Sequence, residues 1–419
     1  MALIVQKFGG TSVGSLERIQ HVADKVIKAR EKGHQVVVVV SAMHGETDRL
    51  IKLANALTSE PNPREYDMLL ATGEQVSMAL LAMALNAKNC PARSYTGLQI
   101  GIHTDDFHTK ARILNVDTTI LLKELAEGYV IVVAGFQGVN TRGDITTLGR
   151  GGSDTTGVAL AAALKAEECQ IYTDVEGVYT TDPRVIKEAM LLSHISFEEM
   201  LELSSLGAKV LQMRSVEIAA HHNMPIRVLS TFTEGEGTLV TFEDKIMQKR
   251  LVSGIAFSHE EAIISIFGVP NRAGIEGEIL GMVSDANIEI DMIAQNATGN
   301  SATDFTFTVQ RKDFKNTMSI IEKISKKLGA ASIKSNAQVA KLSLVGLGMR
   351  SHAGVASKMF KALGEADINI LMITTSEIKI SVVIDEKMLE RGARAVHEAF
   401  ELDKKLLENE SAEIEAGNL

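Results

Sequence analysis

The sequence predicts an α/β protein: a doubly wound, mostly parallel sheet in its first half, then two smaller α+β repeats. Three observations carry this. Short apolar strands alternate with amphipathic helices through the first half. One strand, Val36-Val37-Val38-Val39-Val40, has no polar alternation, as a parallel sheet covered on both faces requires. In the second half a pattern recurs at a fixed offset: Gly274 and Gly354 are 354 − 274 = 80 residues apart, as are Ile288 and Ile368. An internal duplication is the simplest account.

Taken in order, Leu3–Val5 opens the sheet and runs into Lys7-Phe8-Gly9-Gly10-Thr11-Ser12. A helix follows from Ser15, a suitable N-cap, with Leu16, Ile19, Val22, Ala23, Val26 and Ile27 on one face and Gly33 as its stop. Further strands are expected at Tyr129–Ala134, Glu168–Tyr172 and Ile226–Leu229, with helices between them, among them Thr155–Lys165. Such an open sheet binds ligands at the carboxyl ends of its strands. Gly235, Gly237, Glu243, Asp244, Lys245 and Lys249 read as a solvated connector. The predicted limits are 1–245 for the α/β domain, 246–262 for the connector, 263–337 and 338–405 for the repeats, and 406–419 for a polar tail. Each repeat reads strand, Gly-turn, helix, strand, with another strand near Thr303–Val309 or Ile378–Ile384.

The chain has 419 residues, with 43 basic and 53 acidic side chains and a net charge of −10. That balance argues against a nucleic-acid or anionic-membrane partner, which needs a basic face. Cys90 and Cys169 are its two cysteines, so no disulfide framework is expected and a reducing cytoplasm fits. The apolar runs Val36–Val40, Ala79–Leu85 and Val158–Leu164 fall short of the roughly 18 residues of a membrane span, and Lys7 comes too early for a signal peptide. His221-His222 lacks metal-ligand spacing. Gly346-Leu347-Gly348-Met349-Arg350-Ser351 nearly spells a dinucleotide fingerprint, but Ser351 stands where the third glycine belongs.

The chemistry-bearing segments are turns at strand ends. Lys7 stands beside Gly9 and Gly10, whose N–H groups can be approached closely. The turn suits a phosphate; by itself it is equally a βα turn with a solvated lysine. No Gly-x-x-x-x-Gly-Lys-[Ser/Thr] occurs, so it is not a Walker-type loop. Gly149-Arg150-Gly151-Gly152-Ser153-Asp154 repeats the theme and opens a helix, whose N-terminus offers free N–H groups. Arg150 can grip a carboxylate or phosphate with two parallel hydrogen bonds. Asp154 can orient a lysine, face a nucleotide-bound Mg²⁺, or simply cap the helix. Ser41-Ala42-Met43-His44-Gly45-Glu46-Thr47-Asp48 and Ala71-Thr72-Gly73-Glu74-Gln75 each fit plain turn-and-cap chemistry as well. Thr173-Asp174-Val175-Glu176-Gly177-Val178-Tyr179, leading to Asp182-Pro183-Arg184, can cover a nucleotide or lie as a surface loop.

In combination and order these segments resemble the signature set of the aspartate kinases, members of the amino acid kinase superfamily. The resemblance covers the whole chain, because the duplication is similar to the paired ACT domains, ferredoxin-like α+β regulatory units, of those enzymes. His44-Gly45-Glu46 departs from the residues other members carry and leaves Thr47 in place. The resemblance implies ATP-dependent phosphorylation of the side-chain carboxylate of L-aspartate to 4-phospho-L-aspartate, the first step of lysine, threonine and methionine (diaminopimelate) biosynthesis, with Mg²⁺ as companion of ATP. It implies that Lys7 and Asp154 are catalytic and that Lys7 contacts the transferring phosphoryl group. Phe8, Gly9, Gly10 and Ser12 would lie near the ATP phosphates, and Ser153 where phosphate and substrate meet. Ser41, Thr47, Glu74, Arg150, Gly151 and Gly152 would bind aspartate. Thr173, Asp174, Tyr179, Arg184, Lys209 and Val210 would bind the nucleotide. No resident metal site is implied.

The residue types suit this reaction. A carboxylate of ordinary pKa, about 3.9, is already ionised at neutral pH, so no general base is needed. The obstacle is an anion approaching an anionic phosphate, and Lys7, Arg150, Mg²⁺ and backbone N–H groups supply the opposing charge. Glu74 can pair with an ammonium and Arg150 with a carboxylate, which together select a zwitterionic amino acid. In the duplicated half, the turns at Gly274 and Gly354 open helices whose N-termini can accept an effector carboxylate. The expected effector site comprises Gly274, Ile275, Asp291, Met292, Ile293, Gln295 and Asn296, faced by Asn369 and Ile370 according to the resemblance. Lysine, threonine or both are the implied effectors, and self-association through the sheet edges of the repeats is expected. A duplicated unit of this kind can also serve only as a dimerisation platform. Rival readings are a related kinase acting on glutamate, carbamate or a nucleoside monophosphate, and a non-catalytic amino-acid sensor. Met247 in the connector is a candidate internal start for a separate regulatory product.

Overall fold

The computed structural model describes residues 2–206, 210–243, 250–297 and 302–404. Lys209, Met247 and the tail 406–419 lie outside them. The described residues form two compact units. The first comprises 2–179, 191–205 and 210–243; the second comprises 180–190, Leu206, 250–297 and 302–404.

The first unit runs β1 (Leu3–Phe8), α1 (Leu16–Glu31), β2 (Gln35–Val40), α2 (Glu46–Leu57), α3 (Pro63–Leu70), α4 (Thr72–Ala87) and β3 (Ala92–Tyr95). It continues with β4 (Ile102–Thr104), β5 (Ile113–Val116), α5 (Thr119–Ala126), β6 (Val130–Ala134), β7 (Gln137–Val139), β8 (Ile145–Thr147), α6 (Gly152–Ala163) and β9 (Glu168–Thr173). It closes with β10 (His194–Ser196), α7 (Phe197–Ser205), α8 (Met213–His221), β11 (Ile226–Ser230) and β12 (Thr238–Thr241). The main sheet has the order β10-β12-β11-β9-β1-β2-β6-β3, and its strands from β11 to β3 are parallel. Val36 to Val40 are fully buried, as their unbroken apolar run requires. Ser15 caps α1 by accepting the Arg18 amide, and Gly33 ends it at φ +89°. Leu16 departs from the expected apolar face: it is 61% exposed, one step past the cap, whereas Ile19, Val22, Ala23 and Val26 are buried. A four-stranded side sheet, β5-β4-β7-β8, was not foreseen; its strands are too short to show a period. One helical stretch, Pro63–Ala87, is long and apolar enough to span a bilayer by composition, but 56% of its most apolar window is buried within the protein.

The second unit carries β13 (Gly254–Pro270), α9 (Ile275–Asp285), β14 (Ile290–Ala297), β15 (Ala302–Gln310), α10 (Phe314–Leu328), β16 (Ser332–Val345), α11 (Val355–Glu365), β17 (Ile370–Thr375), β18 (Lys379–Asp385) and α12 (Leu389–Ala399). Its six strands form one antiparallel sheet, β14-β15-β13-β16-β18-β17. The expected connector 246–262 and the consecutive limits 263–337 and 338–405 need correction. Strand β13 begins at Gly254, and its first part pairs with the end of β16 (Ile255 with Leu344), while its last part pairs with the start of β16 (Ile266 with Ile333). The first repeat is therefore nested inside the second. The second repeat's core joins Val252 and Ile255 to Leu342, Leu344, Met359, Val382 and Val396. The first has its own core around Ile264, Ile279, Phe305, Phe307 and Ile321. Long-range strand pairing, not local composition, sets this boundary.

The segment 180–190 also belongs to the second unit. Ile186 lies in the second repeat's core. The Ile255 amide donates to the Thr180 carbonyl (2.7 Å), and the Thr180 hydroxyl meets His397 Nε2 at 3.2 Å.

Candidate active site

The strand ends of the first unit converge through glycines. Lys7 lies within β1, opposite Val39 of β2 and Ile171 of β9, so it is a strand residue and not part of the turn. Its stem packs on α6, where a Cβ at Gly157 would stand 3.2 Å from Lys7 Cβ. Its Nζ reaches Asp154 Oδ1 at 2.5 Å, both side chains being about nine-tenths buried. Helix α6 starts at Gly152, earlier than Thr155, because Gly151 at φ +70° serves as its N-cap. Ser153 and Asp154 thus stand in its first turn, where amides lack intrahelical acceptors. Ser153 packs on Gly135 at the end of β6: a Cβ there would lie 2.8 Å from Ser153 Oγ and 3.0 Å from Val40 O. Gly10 is pressed on the carbonyl of Ala42 in the same way, at 2.9 Å. The Ser41 amide donates to Phe8 O at 3.1 Å. Lys7, Gly9, Gly10, Ser41, Ser153 and Asp154 are thereby gathered at the carboxyl ends of the central strands.

Glu74 completes this group from the first turn of α4. It is 3% exposed; its Oε1 accepts the Ala42 amide at 3.1 Å, while its Oε2 is buried without a partner. Burial pushes its pKa up to about 7, against a lowering by the Ala42 amide. A buried acceptor of this kind calls for a cation. Thr47 is half-buried in the first turn of α2, behind the left-handed cap Gly45. Arg150 is exposed, between Gly149 and Gly151, both at positive φ.

Not every expected residue presents its side chain to a ligand. The Phe8 ring is fully buried and stacks on Tyr172, centroids 4.6 Å apart, so only its backbone stands at the strand end. Ser12 is buried, its hydroxyl 2.6 Å from Thr231 Oγ1 and its amide on Gly9 O; it buttresses the turn. Thr173 bonds its neighbour Asp174, which is exposed, and Tyr179 donates to Glu176. Val210 is half-buried. Arg184 falls in the second unit, where it grips Asp182 with two nitrogens at 3.0 and 2.7 Å. No local sequence pattern marks Asp67, His108, Thr109, Thr147 or Arg214: Asp67 accepts from Thr109 and Thr147 and meets His108, and Arg214 donates to Leu148 O.

In the second unit, Ile275 and Met292 are core residues, 1% and 4% exposed, so their side chains cannot meet an effector; apolar residues in a motif go inward. Asp291 is ion-paired with buried Lys341, which also lies 3.7 Å from Glu261. Gln295 donates to Glu276 at 2.9 Å, and Asn296 accepts from Thr303 through its carbonyl. Gly274 caps α9 at φ +87°. Ile293 and Asn369 are exposed, and Ile370 packs against the second repeat's core.

Among the described residues no three His, Cys, Asp or Glu side chains gather as a metal site. A Mg²⁺ that enters on nucleotide phosphates needs one or two carboxylates and water; Asp154 is the carboxylate beside Lys7 that would face it.

Comparison with known proteins decides the family. Residues 2–230 match the amino acid kinase family, and residues 262–326 and 342–400 each match an ACT domain. The aspartokinase of Pseudomonas aeruginosa is 60% identical over 405 residues, spanning 96% of this chain and 98% of its own. This chain belongs to the aspartokinase family. Aspartokinase 2 of Bacillus subtilis, another member, is 48% identical over 404 residues, 96% of this chain and 99% of its own. The crystal structure of E. coli aspartokinase III in complex with aspartate and ADP (R-state) superposes with a TM-score of 0.77 at 26% identity, covering 95% of this chain and 99% of that one. Its complex with lysine and aspartate (T-state) gives 0.76. Membership makes this chain a phosphotransferase of that family, with an α/β kinase unit followed by ACT domains.

Proposed function

We propose that this enzyme transfers the γ-phosphoryl group of MgATP to the side-chain carboxylate of L-aspartate, forming 4-phospho-L-aspartate as the entry to lysine, threonine and methionine biosynthesis in the cytoplasm. The observation that carries this reading is the pairing of two unlike features at the carboxyl ends of the central strands: the Lys7–Asp154 pair, and Glu74 with a buried, unpartnered oxygen. Glu74 takes the substrate ammonium. Arg150, with Thr47 and Ser41, takes the α-carboxylate. The reacting carboxylate then lies toward Lys7, whose charge screens the repulsion between nucleophile and phosphate. Asp154 holds Lys7 in place until the phosphate draws it. The first-turn amides of α6 add positive potential for the same anions. Mg²⁺, when bound, neutralises phosphate charge. Nucleotide contacts fall to the backbone of Gly9 and Gly10 and to 173–179, Lys209 and Val210.

Lysine, threonine or both act as feedback effectors at the turn of Gly274 and the exposed polar edge of β14. Edge strands β14 and β17 expose Ile293, Leu371 and Ile373 at 46%, 49% and 43%, which supports self-association of the ACT sheet along its edges. The test is ADP release from ATP with aspartate, glutamate, carbamate and nucleoside monophosphates as acceptors, with lysine and threonine added singly and together. Aspartate-dependent turnover is expected. Turnover on another acceptor alone, or none, sinks the reading.

A further inference from the structure

Arg150 stands on a turn with two left-handed glycines, Gly149 at φ +75° and Gly151 at φ +70°, so the turn's own backbone does little to fix its direction. It is framed from outside by a buried cluster. Asp67, in α3, is fully buried. Its carboxylate accepts the Thr109 amide at 3.1 and 3.0 Å and the Thr147 hydroxyl at 2.5 Å, and lies 2.7 Å from His108 Nδ1. Thr109 adopts φ +67°, a conformation a β-branched residue takes only where its surroundings compel it. Its carbonyl faces the turn: a Cβ on Gly149 would meet it at 3.1 Å. Thr147 leads into the turn, and its carbonyl accepts the Ala111 amide at 2.9 Å. Arg214 closes the frame by donating to Leu148 O at 2.8 Å and Ala111 O at 3.3 Å.

We propose that Asp67 is a positioning residue for the amino-acid substrate: it holds Thr109 in its strained conformation, and the Thr109 carbonyl, with Thr147, sets the Gly149–Gly151 turn that aims Arg150. A buried carboxylate needed for stability alone would have no use for a threonine in the left-handed region, where glycine sits without cost. The inference rests on the reading that Arg150 binds the substrate's α-carboxylate.

The test is steady-state kinetics of the full-length chain. Asp67→Asn keeps the shape of the side chain and removes its charge. It is expected to raise the KM for aspartate about tenfold, with kcat and the KM for ATP within about twofold. Adding Thr109→Gly, which accepts the same φ freely, is expected to recover at least about threefold of that loss. Where Asp67→Asn does not fold, Thr147→Val, which deletes one donor, takes its place with an expected rise of about threefold. An unchanged aspartate KM in the folded variant overturns the proposal, as does an equal loss for ATP. Arg150→Ala, run in parallel, separates the two readings. If it leaves the aspartate KM unchanged, the assignment of Arg150 falls and this inference with it. If it raises the KM while Asp67→Asn does not, only the positioning role falls.

Discussion

Glu74 binds the Ala42 amide through one carboxylate oxygen at 3.1 Å and keeps the other buried with no partner. Because burial lifts its pKa to about 7 from an ordinary 4.5, two pH effects follow. The ionised form is needed to receive an ammonium, so kcat/KM for aspartate should fall as pH drops below about 7, and Glu74→Gln should flatten that limb while raising the KM. The stability effect has the opposite sense. The folded pKa lies above the unfolded one, so the contribution is present below pH 4.5 and lost as pH rises through about 7. On the order of 3 kcal/mol is at stake. Urea titrations from pH 4 to 8 should show Glu74→Gln shedding this slope; parallel slopes in both proteins would remove the assignment.

Lys7→Ala leaves the Val36–Val40 core intact but strands the buried Asp154 carboxylate, so it should keep the fold while losing roughly 3–5 kcal/mol of stability. Turnover should drop by roughly 100- to 1,000-fold, the scale of losing one charge aimed at the transition state. Near-normal kcat with a native circular dichroism spectrum would take Lys7 out of the mechanism.

Ile186 lies in the core of the second repeat, only a few residues beyond the loop 173–179. Ile186→Ala should cost roughly 2–5 kcal/mol in the unfolding of the second unit. The loosened segment should also raise the KM for ATP while leaving that for aspartate unchanged, which initial-rate measurements would reveal. An ATP KM equal to the parent's confines Ile186 to packing.

Lys341 and Glu261 are 5% and 8% exposed. Lys341→Met strands Glu261, and should destabilise by roughly 3–5 kcal/mol. Burial already holds the Glu261 pKa above 4.5, with Lys341 pulling it down. The variant should therefore lose stability progressively as pH climbs above 4.5. Lys341→Met/Glu261→Leu should recover most of the loss. A double variant as weak as the single one would show that the pair is not the source.

Much of the kinase unit was legible because its signals are local. The five valines, the Ser15 cap and the glycines of 149–152 each state their structure within a few residues. The pairing of Glu74 with the Ala42 amide was not, since hydrogen bonds between distant loops leave no spacing to read. Phe8, Ile275 and Met292 stand in ligand-site motifs, and motif position says nothing of side-chain direction: the hydrophobic effect takes each side chain inward. Asp67 and Thr109 stand in no pattern, and the strain at Thr109 exists only in three dimensions. The nested repeat was hidden for a related reason: β13 reads as one strand, and nothing in its composition says that its two ends serve different cores.

That shared strand limits how the protein can be cut or recombined. A fragment beginning after residue 338 would carry the second repeat's helices but lack the edge that Val252 and Ile255 provide, and β16, still paired with β18, would expose the side that β13 covers to aggregation. Chimaeras exchanging effector specificity between relatives should splice upstream of Val252 and take 180–190 along, so that both sensing modules travel as one inheritance.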